Sequence, residues 1–440
     1  MKSKSKHAPR KKSPAARSSV GTMAEALRDE ARHLMNTYKR PPQVFVRGRG
    51  CYLYDQKGRA HLDFLGGIAV NALGYAHPRI VRVIKRESER AIHVSNLFHN
   101  PFQGPLARKL AEWSGMDRVF FTNSGTEAVD GALKLARLAA HAKYGGSKTR
   151  ILALENSFHG RTFGALSITY AAKYRDPFAP LVPGVEFVRF NDVADLEAKF
   201  DDTVCAMVIE PIQGEGGIYP VSAAFWQKSR ELATRYGAAL IADEIQCGLG
   251  RSGRPFVYQR LPGPPDIVVV AKPIGGGLPL GAFLAREEFA SAFSPGLHGS
   301  TFGGGPLICA VGLEFLATVE EEDLLENVRA RGAQLRECFA QLAAKFDFVR
   351  EIRGEGLILG LDLRVEGGPY VAEAMRRGLL INSTHDHVLR FLPPFILTAR
   401  QAEAGLRILD AVFSKTARPQ EVASPAGGEA PLALEMAAAR

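Results

Sequence analysis

From about residue 118 the chain repeats one pattern: a short apolar run, a glycine-rich or polar turn, then a stretch with apolar residues every third or fourth position. The apolar runs are RVFFT, RILALE, VEFVRF, CAMVIE, AALIADE and IVVVA. Most lack clean alternation, as expected of strands covered on both faces of a parallel sheet. In GALKLARLAAHAKYGG, Ala132, Leu135, Ala136, Ala139 and Ala140 fall on one helical face, and Gly145 and Gly146 provide a stop. The pattern predicts an α/β fold built on a large, mostly parallel sheet.

The flanks read differently. Residues 44–67 (VFVRGRGCYLYDQKGRAHLDFLGG) predict short strands reversed at glycines. Beyond about residue 320 come a long amphipathic helix, strands, a helix over 370–378, further strand and a closing helix ending near 417. These predict a smaller α+β domain joined by the N-terminal strands. The expected organisation is a basic tail over 1–22, a segment of the small domain over 23–75, the large domain over 76–320, the rest of the small domain over 321–417, and a loose tail over 418–440. No internal repeat is evident.

Composition narrows the class. The 440 residues are 46% hydrophobic and 23% charged, ordinary for a globular protein. No run approaches the roughly 18 apolar residues of a membrane span. The five cysteines are scattered and lack C-x-x-C spacing, which argues against a disulfide framework or a metal site and suits a cytoplasmic location. The net charge of +10 owes seven basic residues, with no acid, to positions 1–20, leaving +3 for the rest. With no basic stripe in the body, nucleic acid is not an expected partner.

In an open parallel sheet, ligands bind outside the carboxyl ends of the strands. After RVFFT comes NSGTEA, where Ser124 and Glu127 have capping-box spacing and the amides near Gly125 and Thr126 offer an anion site. After RILALE come Phe158, able to cover a planar ring, and Arg161, able to clamp a carboxylate. Then follow a carboxylate pair, Glu210 and Glu215, then Asp243 with Gln246, then Lys272 ahead of three glycines. Singly, each has an ordinary explanation; a strand-ending lysine usually points into water. As a set along one edge they suit pyridoxal 5'-phosphate, which needs an amine for its aldehyde, a carboxylate for its pyridine nitrogen, an amide nest and a flat neighbour. GLGRSG (248–253) is not a dinucleotide site, because no strand leads into it and Pro255 follows.

From about Pro41 to Ala417 the chain resembles the class III pyridoxal phosphate aminotransferases, of the aspartate aminotransferase fold (fold type I). FTNSGTEAVDGALKLAR, FHGRT, EPIQGEGG, DEIQCGLGRSG, PDIVVVAKPIGGGLPLGA and HGSTFGGGP carry the resemblance, in that order. LDFLGGIAVNALGYAHP and VLRFLPPF are most similar to the members acting on N2-acetyl-L-ornithine with 2-oxoglutarate. Ornithine, succinylornithine, 4-aminobutyrate or a polyamine are the alternative donors.

The resemblance implies that Lys272 bonds covalently to the cofactor aldehyde and moves the substrate proton. Asp243 would pair with the pyridine nitrogen and Gln246 would reach the ring hydroxyl. Ser124, Gly125 and Thr126 would hold the phosphate, joined by Thr301 of the other subunit in a homodimer with shared sites. Phe158 and Ile245 would pack the ring's two faces. Arg161 would bind a substrate carboxylate, Arg390 the carboxylate of glutamate, and Glu215 would pair with Arg390. Ser95, Asn96 and His99 are candidates for donor choice. No metal is expected. Three positions depart from the family pattern: Pro273 in place of glycine, Cys247 in place of threonine and Gly305 in place of asparagine.

Overall fold

The computed structural model describes residues 22–416, which form two units divided between Val44 and Phe45. The tails expected at either end lie outside the described residues, apart from Thr22. In the first unit the helix Met23–His33 opens on a reciprocal cap. The Thr22 side chain accepts the Glu25 amide, and the Glu25 carboxylate accepts the Thr22 N–H.

The second unit is organised by a seven-stranded sheet. Its strands lie in the order Arg118–Thr122, Gly281–Ala285, Ile267–Val270, Ala239–Asp243, Val204–Ile209, Arg150–Leu154, Val185–Val188. Every strand expected from the apolar runs is present, and six of the seven are parallel. The exception, Gly281–Ala285, was not foreseen. It runs antiparallel between Arg118–Thr122 and Ile267–Val270, pairing Gly281 with Thr122 and Val270 with Ala282. Its five residues directly follow a glycine-rich turn, so no period marks them out. Gly281 is required there, since a Cβ would lie 2.6 Å from the Ser124 carbonyl oxygen.

Both faces of the sheet are covered, which is why the strands read as unbroken apolar runs. Ile267 and Val269 face one apolar cluster with Ala128, Ala132 and Ala136; Val268 and Val270 face the other, with Phe225 and Leu240. The first cluster is closed by the helix Gly125–Tyr144, which ends at Gly145 in the left-handed region (φ 66°). Gly131 lets this helix approach Phe283, whose ring would meet a Cβ at 2.2 Å.

Beyond the sheet lie the helices Leu324–Lys345 and Ala399–Lys415 and an antiparallel sheet. Its order is Val349–Glu355, Ile358–Leu363, Val388–Phe391, Asn382–Thr384. The expected helix at 370–378 occupies Gly368–Arg376. The N-terminal strands Phe45–Arg49, Tyr52–Asp55 and Ala60–Asp63 form a sheet completed by Leu379–Leu380, which runs parallel to Ala60–Asp63. The five cysteines are free and buried. Among the described residues no helix is long and apolar enough to cross a membrane, and no cluster of three or more metal-ligating side chains occurs.

Candidate active site

Strand direction, rather than cavity size, locates the site. A cavity of about 980 Å³ lies where strands begin, beside Cys205, Ala238 and Asp266. At the opposite edge a cavity of about 450 Å³ gathers the residues that follow five of the six parallel strands. Ser124, Gly125, Thr126, Phe158, Arg161, Asp243, Ile245, Gln246 and Lys272 all line it. Its volume suits a small cofactor with substrate.

Lys272 follows the strand Ile267–Val270 and opens a single 3-10 turn, with φ at +48° and Pro273 next in the chain. A non-glycine residue in this region is strained and is kept there only by its surroundings. Burial pushes the Lys272 ammonium below its ordinary value, against the opposing charges of Asp243 and Glu215. A larger share of the amine is therefore neutral, the form that attacks a carbonyl carbon.

Asp243 ends its own strand and is 3% exposed. Its Oδ1 accepts the Ile245 amide at 3.1 Å, and its Oδ2 lies 2.7 Å from His159 Nδ1. Although burial alone would lower it, the hydrogen bond and charge of Asp243, with Glu210 adding, raise the pKa of His159. His159 falls within the quoted FHGRT stretch, but nothing in the sequence assigned it a role. Its importance depends on the strand Arg150–Leu154 ending close enough for its loop to reach Asp243.

The anion nest forms at the start of the helix Gly125–Tyr144. Ser124 Oγ accepts the Glu127 amide at 3.4 Å, as expected. The return bond differs from a capping box: the Glu127 carboxylate reaches one residue further back, to the Asn123 amide at 2.7 Å. The amides of Gly125 and Thr126 have no acceptor among the described residues. They stand at the positive end of a 20-residue helix. The Thr126 hydroxyl is already engaged, accepting the amides of Arg161 and Thr162 at 3.0 Å each. A Cβ on Gly125 would meet Ile245 Cδ1 at 2.8 Å, so this glycine admits Ile245 to the cavity wall.

Two arginines matter here: Arg161 lines the cavity, whereas Arg390 and Glu215 are outside its lining and connect to it through Gln246. Arg161 is exposed, its guanidinium 3.8 Å from the Tyr174 ring centroid and 5.5 Å from that of Phe158. Arg390, on the strand Val388–Phe391, is fully buried. Its Nη1 donates to Glu215 Oε1 at 2.5 Å and to Gln246 Oε1 at 3.1 Å, and its Nε donates to Asn382 Oδ1 at 3.2 Å. The expected Glu215–Arg390 pair is therefore formed. Burial pushes Glu215 up, but Arg390 outweighs it and holds the carboxyl below its usual range.

Thr301, Ser95 and Asn96 do not line this cavity. Asn96 Nδ2 donates to the carbonyls of Ser300 and Gly303, each at 2.9 Å, and Ser95 Oγ accepts the Leu97 amide. Thr301 lines a separate cavity with His298 and Phe302. Cys247 Sγ lies 3.4 Å from Glu244 Oε2, giving that position a hydrogen-bond partner despite the missing hydroxyl. Gly305 precedes the helix Pro306–Glu321 without a side-chain cap.

The donor set fits pyridoxal phosphate: free amides for a phosphate, a carboxylate deep in the cavity, an aromatic wall, and an amine of lowered basicity. Residues 34–413 match the family model described as aminotransferase class-III. An acetylornithine aminotransferase of Caldanaerobacter subterraneus subsp. tengcongensis is 46% identical over 88% of this chain and 98% of its own length. Among solved structures, the ornithine aminotransferase of Toxoplasma gondii superposes with a TM-score of 0.86 at 32% identity, covering 90% of this chain and 96% of that one. A pyridoxal-phosphate-bound amine transaminase from an uncultivated Pseudomonas species gives 0.83 at 29% identity, covering 88% and 99%. The chain belongs to the class III aminotransferase family, whose enzymes use pyridoxal 5'-phosphate to move an amino group from an amine donor to a keto acid.

Proposed function

We propose that the donor is N2-acetyl-L-ornithine and the acceptor 2-oxoglutarate, giving the semialdehyde and L-glutamate. The observation that carries this reading is the bonded Glu215–Arg390 pair, joined to the cavity through Gln246, together with the exposed Arg161 on the cavity wall. One arginine is screened by a carboxylate while the other is open, so the two can serve donor and acceptor in turn. The likeness to acetylornithine aminotransferases across most of their length supports the choice of donor. A second reading, ornithine itself, is favoured by the structural likeness to an ornithine aminotransferase.

The bound cofactor supplies an electron-accepting ring that stabilises negative charge beside the reacting nitrogen. Lys272 would provide the amine that holds its aldehyde and the group that carries the proton at the substrate carbon. Asp243, steadied by His159, would hold positive charge at the pyridine nitrogen, and Gln246 would donate to the ring hydroxyl. The amides of Gly125 and Thr126, beside Ser124, would hold the phosphate, while Phe158 and Ile245 would cover the ring. Arg161 binds the donor carboxylate. Arg390 binds the dicarboxylate after Glu215 gives way.

The chain further acts as a homodimer in this reading. Leu97, Phe98 and Phe302 are 84%, 69% and 65% exposed, and bonds from Asn96 tie their two segments into one surface. A patch of this kind suits a second copy. The copy would bring Thr301 to the neighbouring phosphate and Ser95 and Asn96 to the donor. Buried free thiols support a cytoplasmic location. The domain limits 76–320 and 321–417 are part of the same proposal.

Initial rates across acetylornithine, ornithine, succinylornithine, 4-aminobutyrate and putrescine, each with 2-oxoglutarate, test the donor. Acetylornithine should have the highest kcat/KM; faster turnover of 4-aminobutyrate would reject the assignment.

A further inference from the structure

Glu210 is a buried carboxylate, 5% exposed, on the wall of the cavity. Among the described residues it forms no ion pair, although a charge removed from water ordinarily needs one. Its two oxygens instead accept two backbone amides from different loops. Oε1 takes the Phe158 N–H at 2.9 Å and Oε2 the Gly214 N–H at 2.9 Å.

One of those amides belongs to the cavity wall and the other to the loop packed behind Gln246. Phe158 is the aromatic wall, three residues before Arg161. Gly214 precedes Glu215, and its carbonyl accepts Arg390 Nη1 at 3.1 Å. Gly214 also lies hard against Gln246, where a Cβ would sit 2.4 Å from the amide carbon. The Gly214 amide therefore fixes the height of the loop against Gln246 and Arg390. A carboxylate is the only short side chain that offers two acceptors and no donor in one plane. A carboxamide has a single oxygen and must turn an NH2 group toward one of the two amides.

We propose that Glu210 is a positioning residue that clamps the cofactor's aromatic wall and the Glu215–Arg390 gate into one rigid frame, so that the ring and the dicarboxylate are held in register. This rests on reading Phe158 as the wall of the cofactor site and Arg390 as the glutamate site. Glu210 touches neither ring nor substrate in this assignment; it acts through the two loops. Burial pushes its carboxyl up to about 7, with His159 and the two amides opposing and Asp243 adding. The two amide bonds, together with the charge of His159, offset that cost of burial.

The test compares Glu210→Ala and Glu210→Gln with wild type as full-length chain. One measurement is the dissociation constant of pyridoxal phosphate, by absorbance titration of stripped protein. The other is the KM for 2-oxoglutarate in cofactor-saturated protein. Alanine abandons both amides, and both constants should rise on the order of tenfold, the usual consequence of leaving a buried donor unpaired. Glutamine can satisfy only one amide, so one constant should rise about tenfold and the other stay within twofold. A purely structural role predicts a lower melting midpoint with both constants unchanged in the folded protein, and that result overturns the proposal. Failure of both variants to fold also overturns it, with Glu210→Asp, which keeps two acceptors on a shorter stem, as the check that the carboxylate serves only stability. If wild type turned over no amine, the transaminase reading would fall, while the cofactor titration would still read the Phe158 arm.

Discussion

His159 Nδ1 stands 2.7 Å from Asp243 Oδ2, with both side chains withdrawn from solvent. The imidazole pKa is raised in the fold, so its protonated form is the one that gains a partner. That contribution is fully present below the unfolded value near 6.5 and is lost as pH rises through the folded value. Glu210 and Asp243 are the charges that face it. Replacing His159 by leucine should cost about 3 kcal/mol, as expected for one partner of a buried pair. The loss of melting midpoint should be larger at pH 6 than at pH 9; equal losses at both would mean that no proton is held there.

Lys272→Ala removes the amine and the proton carrier together. Transfer from acetylornithine should fall by roughly 10³-fold or more, and the visible absorbance of the protein-bound cofactor should move to that of the free aldehyde. Unchanged turnover would place the chemistry elsewhere.

Glu215 is held ionised beside Arg390, so at neutral pH it competes with an incoming dicarboxylate. Glu215→Gln should lower the KM for 2-oxoglutarate by about tenfold, the scale of a charge-assisted bond. It should also improve glutamate as a donor relative to acetylornithine. Steady-state kinetics with both donors would reveal the shift; loss of affinity for 2-oxoglutarate would assign Glu215 an attractive role instead.

Phe302→Asp places a charge in the exposed patch formed by segments 92–100 and 297–303. Light scattering should find a monomer, with turnover reduced at least about tenfold because each site loses its neighbour's Thr301. A fully active monomer would show that one chain completes its own site.

The strand ends were legible in the sequence because a parallel sheet sends its functional loops to one edge. Ser124, Phe158, Asp243 and Lys272 could be placed together without coordinates. The direction of Gly281–Ala285 was not legible, since five residues after a glycine-rich turn carry no decisive period. The sequence marks Glu210 as half of a carboxylate pair without giving it a function, and it gives no signal for His159. Their importance depends on which loops meet: Phe158 and Gly214 converge on one carboxylate only because Val204–Ile209 lies between Arg150–Leu154 and Ala239–Asp243. Thr301, Ser95 and Asn96 do not line the cavity of their own chain, and the pattern of a single chain does not encode what a second copy would add.

The left-handed backbone at position 272 has a cost that falls on durability. A chain selected only to survive heating would put glycine or asparagine there and lose both the torsional strain and the buried ammonium. The catalyst is therefore the less robust version of its own scaffold, and an inert Lys272→Asn protein should outlast it in the test tube.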